Sequence, residues 1–143
     1  MFGNDRNQLR QMFFDSWKKY QDKLELEPLE QIICQIIIMH PEYHSLLDDA
    51  DANLQKEYFS EHGEINPFLH MAMHISIQEQ LATQRPIGIN ALHVRLLTKY
   101  SDPHISEHKM MECLSEMIWQ SQQSGSPPDD KNYLTCLEKL AQS

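Results

Sequence analysis

The sequence predicts an all-α fold, a single-domain bundle of five to six mostly antiparallel helices, and three observations carry that prediction. Apolar residues recur at three- and four-residue steps along most of the chain. Strand-like alternation is almost absent, and only four glycines interrupt 143 residues. Segment starts repeatedly pair a capping residue with proline, the usual grammar of a helix N-terminus. Hydrophobic residues make up 41% and charged residues 23%, ordinary proportions for one globular domain spanning residues 1–143.

The first helix is expected over about Asp5 to Gln21, with Leu9, Met12, Phe13, Trp17 and Tyr20 as its apolar stripe. "LELEP" interrupts it, and Pro28 opens a second helix with Leu29, Ile32, Ile33, Ile36 and Ile37 on one face. That helix stops near His40, because Pro41 disfavours helical geometry in the residue before it. A short helix begins at Pro41, inside a long acidic connection of about 45–65. Asn66-Pro67 starts a third long helix that reaches about Thr83, and "QRPIG" turns into a fourth over about Ile87 to Lys99. Ser101-Asp102-Pro103 opens a fifth helix to about Gln122, and "SGSPPDD" sets off a short last one over 129–140. Short turns between long amphipathic helices favour antiparallel neighbours.

The net charge of −9 excludes a non-specific nucleic-acid binder, which needs basic surface to displace counterions, and also docking on anionic lipid. The longest apolar run, "IICQIIIM", falls short of the ~20 residues of a membrane span. The N-terminus lacks the features of a secretory signal. Cys34, Cys113 and Cys136 are odd in number and widely spaced, and they read as free thiols in a reducing cytoplasm.

Eight histidines include three pairs four residues apart: His40/His44, His70/His74 and His104/His108. Random placement would give about 0.4 such pairs, and a spacing of four stacks side chains on one helix face. Pro41 makes the first pair the weakest, and His40 reads as a cap for the short helix after it. His70 and His74 lie among Met71, Met73, Ile75 and Ile77, so they look inward. "HISEHKMME" repeats the spacing and adds Glu112. Buried imidazoles need partners, and a metal supplies one. Bundles build such sites from carboxylates and histidines on facing helices. The expected ligands are His70, His74, His108 and Glu112, with His104 next, around a divalent ion such as zinc or iron. Metal-free acid–base chemistry by His74 with Glu112 is a further option. HExxH, P-loop and GxGxxG motifs are absent, and no nucleophile or oxyanion device stands out.

The segments "HPEYH", "NPFLHMAMHISIQEQ", "RPIGI", "EHKMMECLSEMIWQSQ" and "PPDDKNYL" resemble, in order and spacing, the bacterial domain-of-unknown-function family 1841. The likeness runs from about Asp5 to Leu140. It implies a small, stand-alone, cytoplasmic protein and carries over no catalytic residue, cofactor or partner. Two readings follow from the residues. The leading one is a helical bundle with a His/Glu metal site between its third and fifth long helices. The competing one is a metal-free interaction module, its histidines structural, that meets a protein partner or a second copy of itself.

Overall fold

Helix ends rather than helix faces account for the less regular part of the structure. The computed structural model describes residues 2–58 and 66–142, with side chains from residue 7 onward. Part of the expected acidic connection, 59–65, lies outside the described residues. The described chain is all-α, and no helix in it is long and apolar enough to cross a membrane. It divides into two compact units, Met1–Ile75 and Ser76–Ser143.

The first unit is built on α1 (Phe2–Gln21) and α2 (Pro28–Ile38), followed by a 3-10 turn (Pro41–Tyr43) and two one-turn helices, α3 (His44–Leu47) and α4 (Ala50–Asn53). The start of α5 (Pro67–Thr83) completes it. Pro28 sits in the first turn of α2, and Glu30 reaches back to accept the Glu27 backbone N–H at 2.8 Å. Phe13, Phe14, Trp17, Ile33, Ile36, Ile37, Leu47, Phe68 and Met71 form one buried cluster. The Phe68 ring lies 6.0 Å from Phe13 and 5.7 Å from Phe14, an aromatic geometry that adds to simple burial.

The face that α1 buries is rotated from the expected stripe. Phe13 and Trp17 are inside, but Leu9, Met12 and Tyr20 are exposed, and Arg10, Phe14 and Ser16 take their place. The reason is Arg10, 2% exposed, which a hydrophobic pattern assigns to solvent. Its guanidinium donates to the backbone carbonyls of Asn53, Leu54 and Lys56 at 3.4, 3.0 and 2.7 Å. These are the carbonyls at and beyond the end of α4, which have no intrahelical donor and attract a cation. The guanidinium also lies 4.7 Å from the centre of the Phe68 ring.

The second unit holds the rest of α5 with α6 (Ile89–Tyr100), α7 (Pro103–Ser124) and α8 (Asp130–Gln142). Its three complete helices pack on one another. The carboxylate of Asp102 accepts from the N–H groups of His104 and Ile105 at 2.8 and 3.1 Å, with Pro103 at the first helical position of α7. Gly125 ends α7 at φ +69, the left-handed cap that only glycine adopts at no cost. The Tyr133 hydroxyl donates to Gln80 at 2.7 Å, and Arg95 pairs with Glu138 at 2.8 Å.

Two expectations are corrected. The helices number eight among the described residues rather than five or six, because the expected short helix and part of the acidic connection fold as a 3-10 turn and two single turns. Cys113 and Cys136 are not free thiols; a disulfide joins α7 to α8 across a Cα–Cα distance of 5.7 Å. Spacing along the chain does not reveal which cysteines two packed helices bring face to face. Cys34 is free and buried, its Sγ 3.3 Å from the Ser16 carbonyl, and burial pushes its thiol up to about 11.

Arg10→Met keeps much of the side-chain volume but takes the guanidinium donor away from three part-buried carbonyls, and it is expected to cost about 2 kcal/mol of unfolding free energy. Arg10→Lys retains the charge without the planar fork and is expected to recover only part of that loss. Denaturant titration of the three proteins checks this. Equal stability of wild type and Arg10→Met would contradict a capping role.

Candidate metal centre

Asn66 sets the register of α5: its side-chain oxygen accepts from the N–H groups of Phe68 and Leu69 at 3.0 and 3.2 Å. With that start fixed, Phe68 and Met71 enter the aromatic core. His70 and His74 fall one turn apart on an adjacent face. His74 is fully buried and His70 half-buried. Both therefore look inward, as the sequence predicts.

The partner they meet in the first unit is His40, only 1% exposed. Its Nε2 lies 3.2 Å from Nε2 of His70, which in turn lies 3.3 Å from Nε2 of His74. The His40 and His74 rings stand 4.8 Å apart at 63°, close to edge-on. Nδ1 of His40 lies 2.7 Å from the Ile36 carbonyl. A carbonyl can only accept, so Nδ1 carries a proton, and the neutral ring then presents a lone pair at Nε2. Three Nε2 atoms thus converge, one of them fixed as a lone pair. Two nitrogens bound to one zinc at about 2.0–2.1 Å with tetrahedral angles stand about 3.3–3.4 Å apart. The His40–His70 and His70–His74 separations of 3.2 and 3.3 Å are close to that spacing.

His40 was expected as a helix cap, and its side chain makes no cap bond to the turn that follows. It instead faces back onto α2 and across to α5. His44, the other member of the pair, does the capping: its Nε2 meets the Ile37 carbonyl at 2.9 Å and its ring lies 4.7 Å from Trp17. Sequence reasoning missed His40 because Pro41 precludes one helix carrying both residues. The excess of four-residue pairs was the available signal, since the weakest pair by helix logic still supplied a donor.

In the second unit His104 and His108 form their own pair, Nε2 to Nε2 at 2.8 Å with rings perpendicular. Glu107, between them in sequence, is buried and accepts from Gln78 Nε2 at 3.0 Å. Glu112 turns to solvent: its side chain is 62% exposed and pairs with Lys109 at 3.7 Å. Trp17 is buried, whereas Trp119 is 56% exposed. Burial holds His93 below the ordinary histidine range, a shift that the charge of Glu107 opposes in part.

A family model described as "Domain of unknown function (DUF1841)" matches residues 5–139. No curated protein and no solved structure matches the chain.

The depressed pKa of His93 has a signed consequence. The folded state resists the proton that the unfolded chain takes up, so this contribution is complete above the unfolded value, about 6.5, and is lost as pH falls below it. Unfolding free energies measured at pH 7.5 and 5.5 should fall more steeply for wild type than for His93→Gln. Identical pH dependence in the two proteins would contradict the assignment.

Proposed function

The chain belongs to the family described as "Domain of unknown function (DUF1841)", whose description names no chemistry, and from the geometry we propose that it binds a divalent metal through His40, His70 and His74. The observation that carries this reading is the contact of His40 Nδ1 with the Ile36 carbonyl at 2.7 Å. A ring that donates Nδ1–H to a main-chain carbonyl while offering Nε2 is how metal-binding histidines are usually oriented, and that outer contact fixes the tautomer. The donor type suits zinc or iron, both at home among imidazoles. Burial of His40 and His74 keeps water from competing for the nitrogens.

Of the donors expected from the sequence, His70 and His74 belong to this triad. Nε2 of His104 lies 2.8 Å from Nε2 of His108 within the second unit, and Glu112 is engaged by Lys109. The metal-free reading treats the triad as a hydrogen-bonded core group. It has to share the single Nε2 proton of a neutral His70 between two neighbours, and that makes it the weaker account of the same distances.

Metal content and metal-dependent stability separate the two. Protein purified without an affinity tag, stripped by chelator and titrated with zinc or iron(II), is expected to bind close to one ion at the triad. At 100 times Kd the gain in stability is about 2.7 kcal/mol, a rise of several degrees in Tm. His70→Ala, at the half-buried position, should weaken binding at least tenfold and abolish most of the thermal shift. Wild-type protein that takes up neither metal and melts unchanged would overturn the proposal.

A further inference from the structure

The disulfide of the second unit lies in the wall of a groove. Cys113 and Cys136 both line a cleft of ≈ 600 Å3 between α7 and α8, together with Glu116, Gln120, Asn132 and Lys139. Pockets of this size accommodate small molecules. The two sulfurs differ in access. Cys113 is 1% exposed, whereas Cys136 is half-buried and stands one helical turn before Lys139 on α8. A thiolate entering the cleft finds Lys139 one turn from Cys136, with Glu116 also in the lining, and meets the more exposed of the two half-cystines.

We propose that Cys113–Cys136 is a site of thiol–disulfide exchange, at which Cys136 takes up a small-molecule thiol and α8 is released from its covalent tie to α7. The thiolate attacks Sγ of Cys136, the Cys113–Cys136 bond breaks, and Cys113 leaves as a thiolate that takes a proton from water. A second thiolate then attacks the external sulfur of the mixed disulfide. The products are two protein thiols and one small-molecule disulfide, the two electrons coming from two thiols. Access gives the exchange a direction: the entering thiolate reaches Cys136, the more exposed half-cystine, and the adduct forms there.

Release of α8 matters because its remaining ties are few. The described bonds to its neighbours are the Tyr133–Gln80 hydrogen bond, the exposed bond from Lys99 Nζ to the Leu140 carbonyl and the exposed Arg95–Glu138 pair, beside the burial of Tyr133 and Leu137. Exposed ion pairs contribute little. A helix of 13 residues is marginal in isolation, so its order depends on docking. The disulfide closes a sequence separation of 23, which restrains the chain when docking fails.

The test uses the full chain under native conditions. Air-oxidised protein is incubated with reduced glutathione, quenched with acid and mapped by peptide mass spectrometry, with hydrogen exchange followed in parallel. The expected outcome is glutathione on Cys136 rather than Cys113, and at least a tenfold loss of exchange protection in residues 130–142. A disulfide that resists thiols until denaturant is added, or adducts mainly on Cys113, would overturn the proposal; so would two free thiols at 113 and 136 in air-oxidised protein. Single variants give an independent reading. Cys113→Ser leaves Cys136 in the cleft and should react with an aromatic disulfide at least tenfold faster than Cys113 does in Cys136→Ser. Equal rates would contradict the asymmetry on which the inference stands. Cys34, buried in the first unit, is followed separately by peptide.

Discussion

The end of α2 is the constraint from which the candidate centre follows. Pro41 keeps His40 out of helical geometry, and the backbone there takes φ −126 and ψ 68. The last turn of α2 is thereby left with carbonyls that no further residue of the helix can satisfy. The His40 backbone N–H answers the Ile37 carbonyl at 3.0 Å, where His44 Nε2 adds a second contact, and the His40 ring turns back to supply the donor for Ile36. For His40 this capping bond also fixes which nitrogen holds the proton. The lone pair of Nε2 is what remains, and it faces His70. One proline thus determines a helix end, a tautomer and the orientation of a donor.

The same logic extends through the rest of the first unit. From Pro41 to Asn53 it is made of turns too short to satisfy their own ends, so side chains do that work from outside. Arg10 answers the carbonyls after α4, and Asn53 donates to those of Leu46 and Asp49 at 3.0 and 2.8 Å. Trp17, otherwise part of the aromatic core, gives its indole N–H to Asp48 at 3.1 Å. A core that contains so many chain ends has to bury polar groups, and Arg10, Asn53 and Trp17 match their donors to carbonyls or a carboxylate. The imidazole triad is the part of this network in which nitrogen faces nitrogen, and there a cation fits better than another hydrogen bond.

Long helices were legible because their signals are local. Asn66-Pro67 and Asp102-Pro103 mark starts that coincide with α5 and α7, and the spacing of His70 and His74 places both rings inside. What escaped the sequence depends on contacts between distant segments. Arg10 reads as a surface residue until the carbonyls of 53–56 are placed over it. Cys113 and Cys136 read as unrelated thiols until α7 and α8 are packed. His40 reads as excluded by Pro41, although the break is what frees its ring. Glu112 matches a ligand spacing from His108, and its own side chain is 62% exposed beside Lys109, an exposure that spacing alone does not reveal.

Nitrogen NMR of histidine-labelled protein reads the central claim at the atoms concerned. In the metal-free state His40 should show a protonated Nδ1 and a bare Nε2. Addition of one equivalent of zinc should shift Nε2 of His40, His70 and His74 together, leaving the Nδ1 proton of His40 in place. A His40 ring protonated on Nε2, or a triad whose three resonances ignore zinc, would contradict the coupling of helix capping to metal binding.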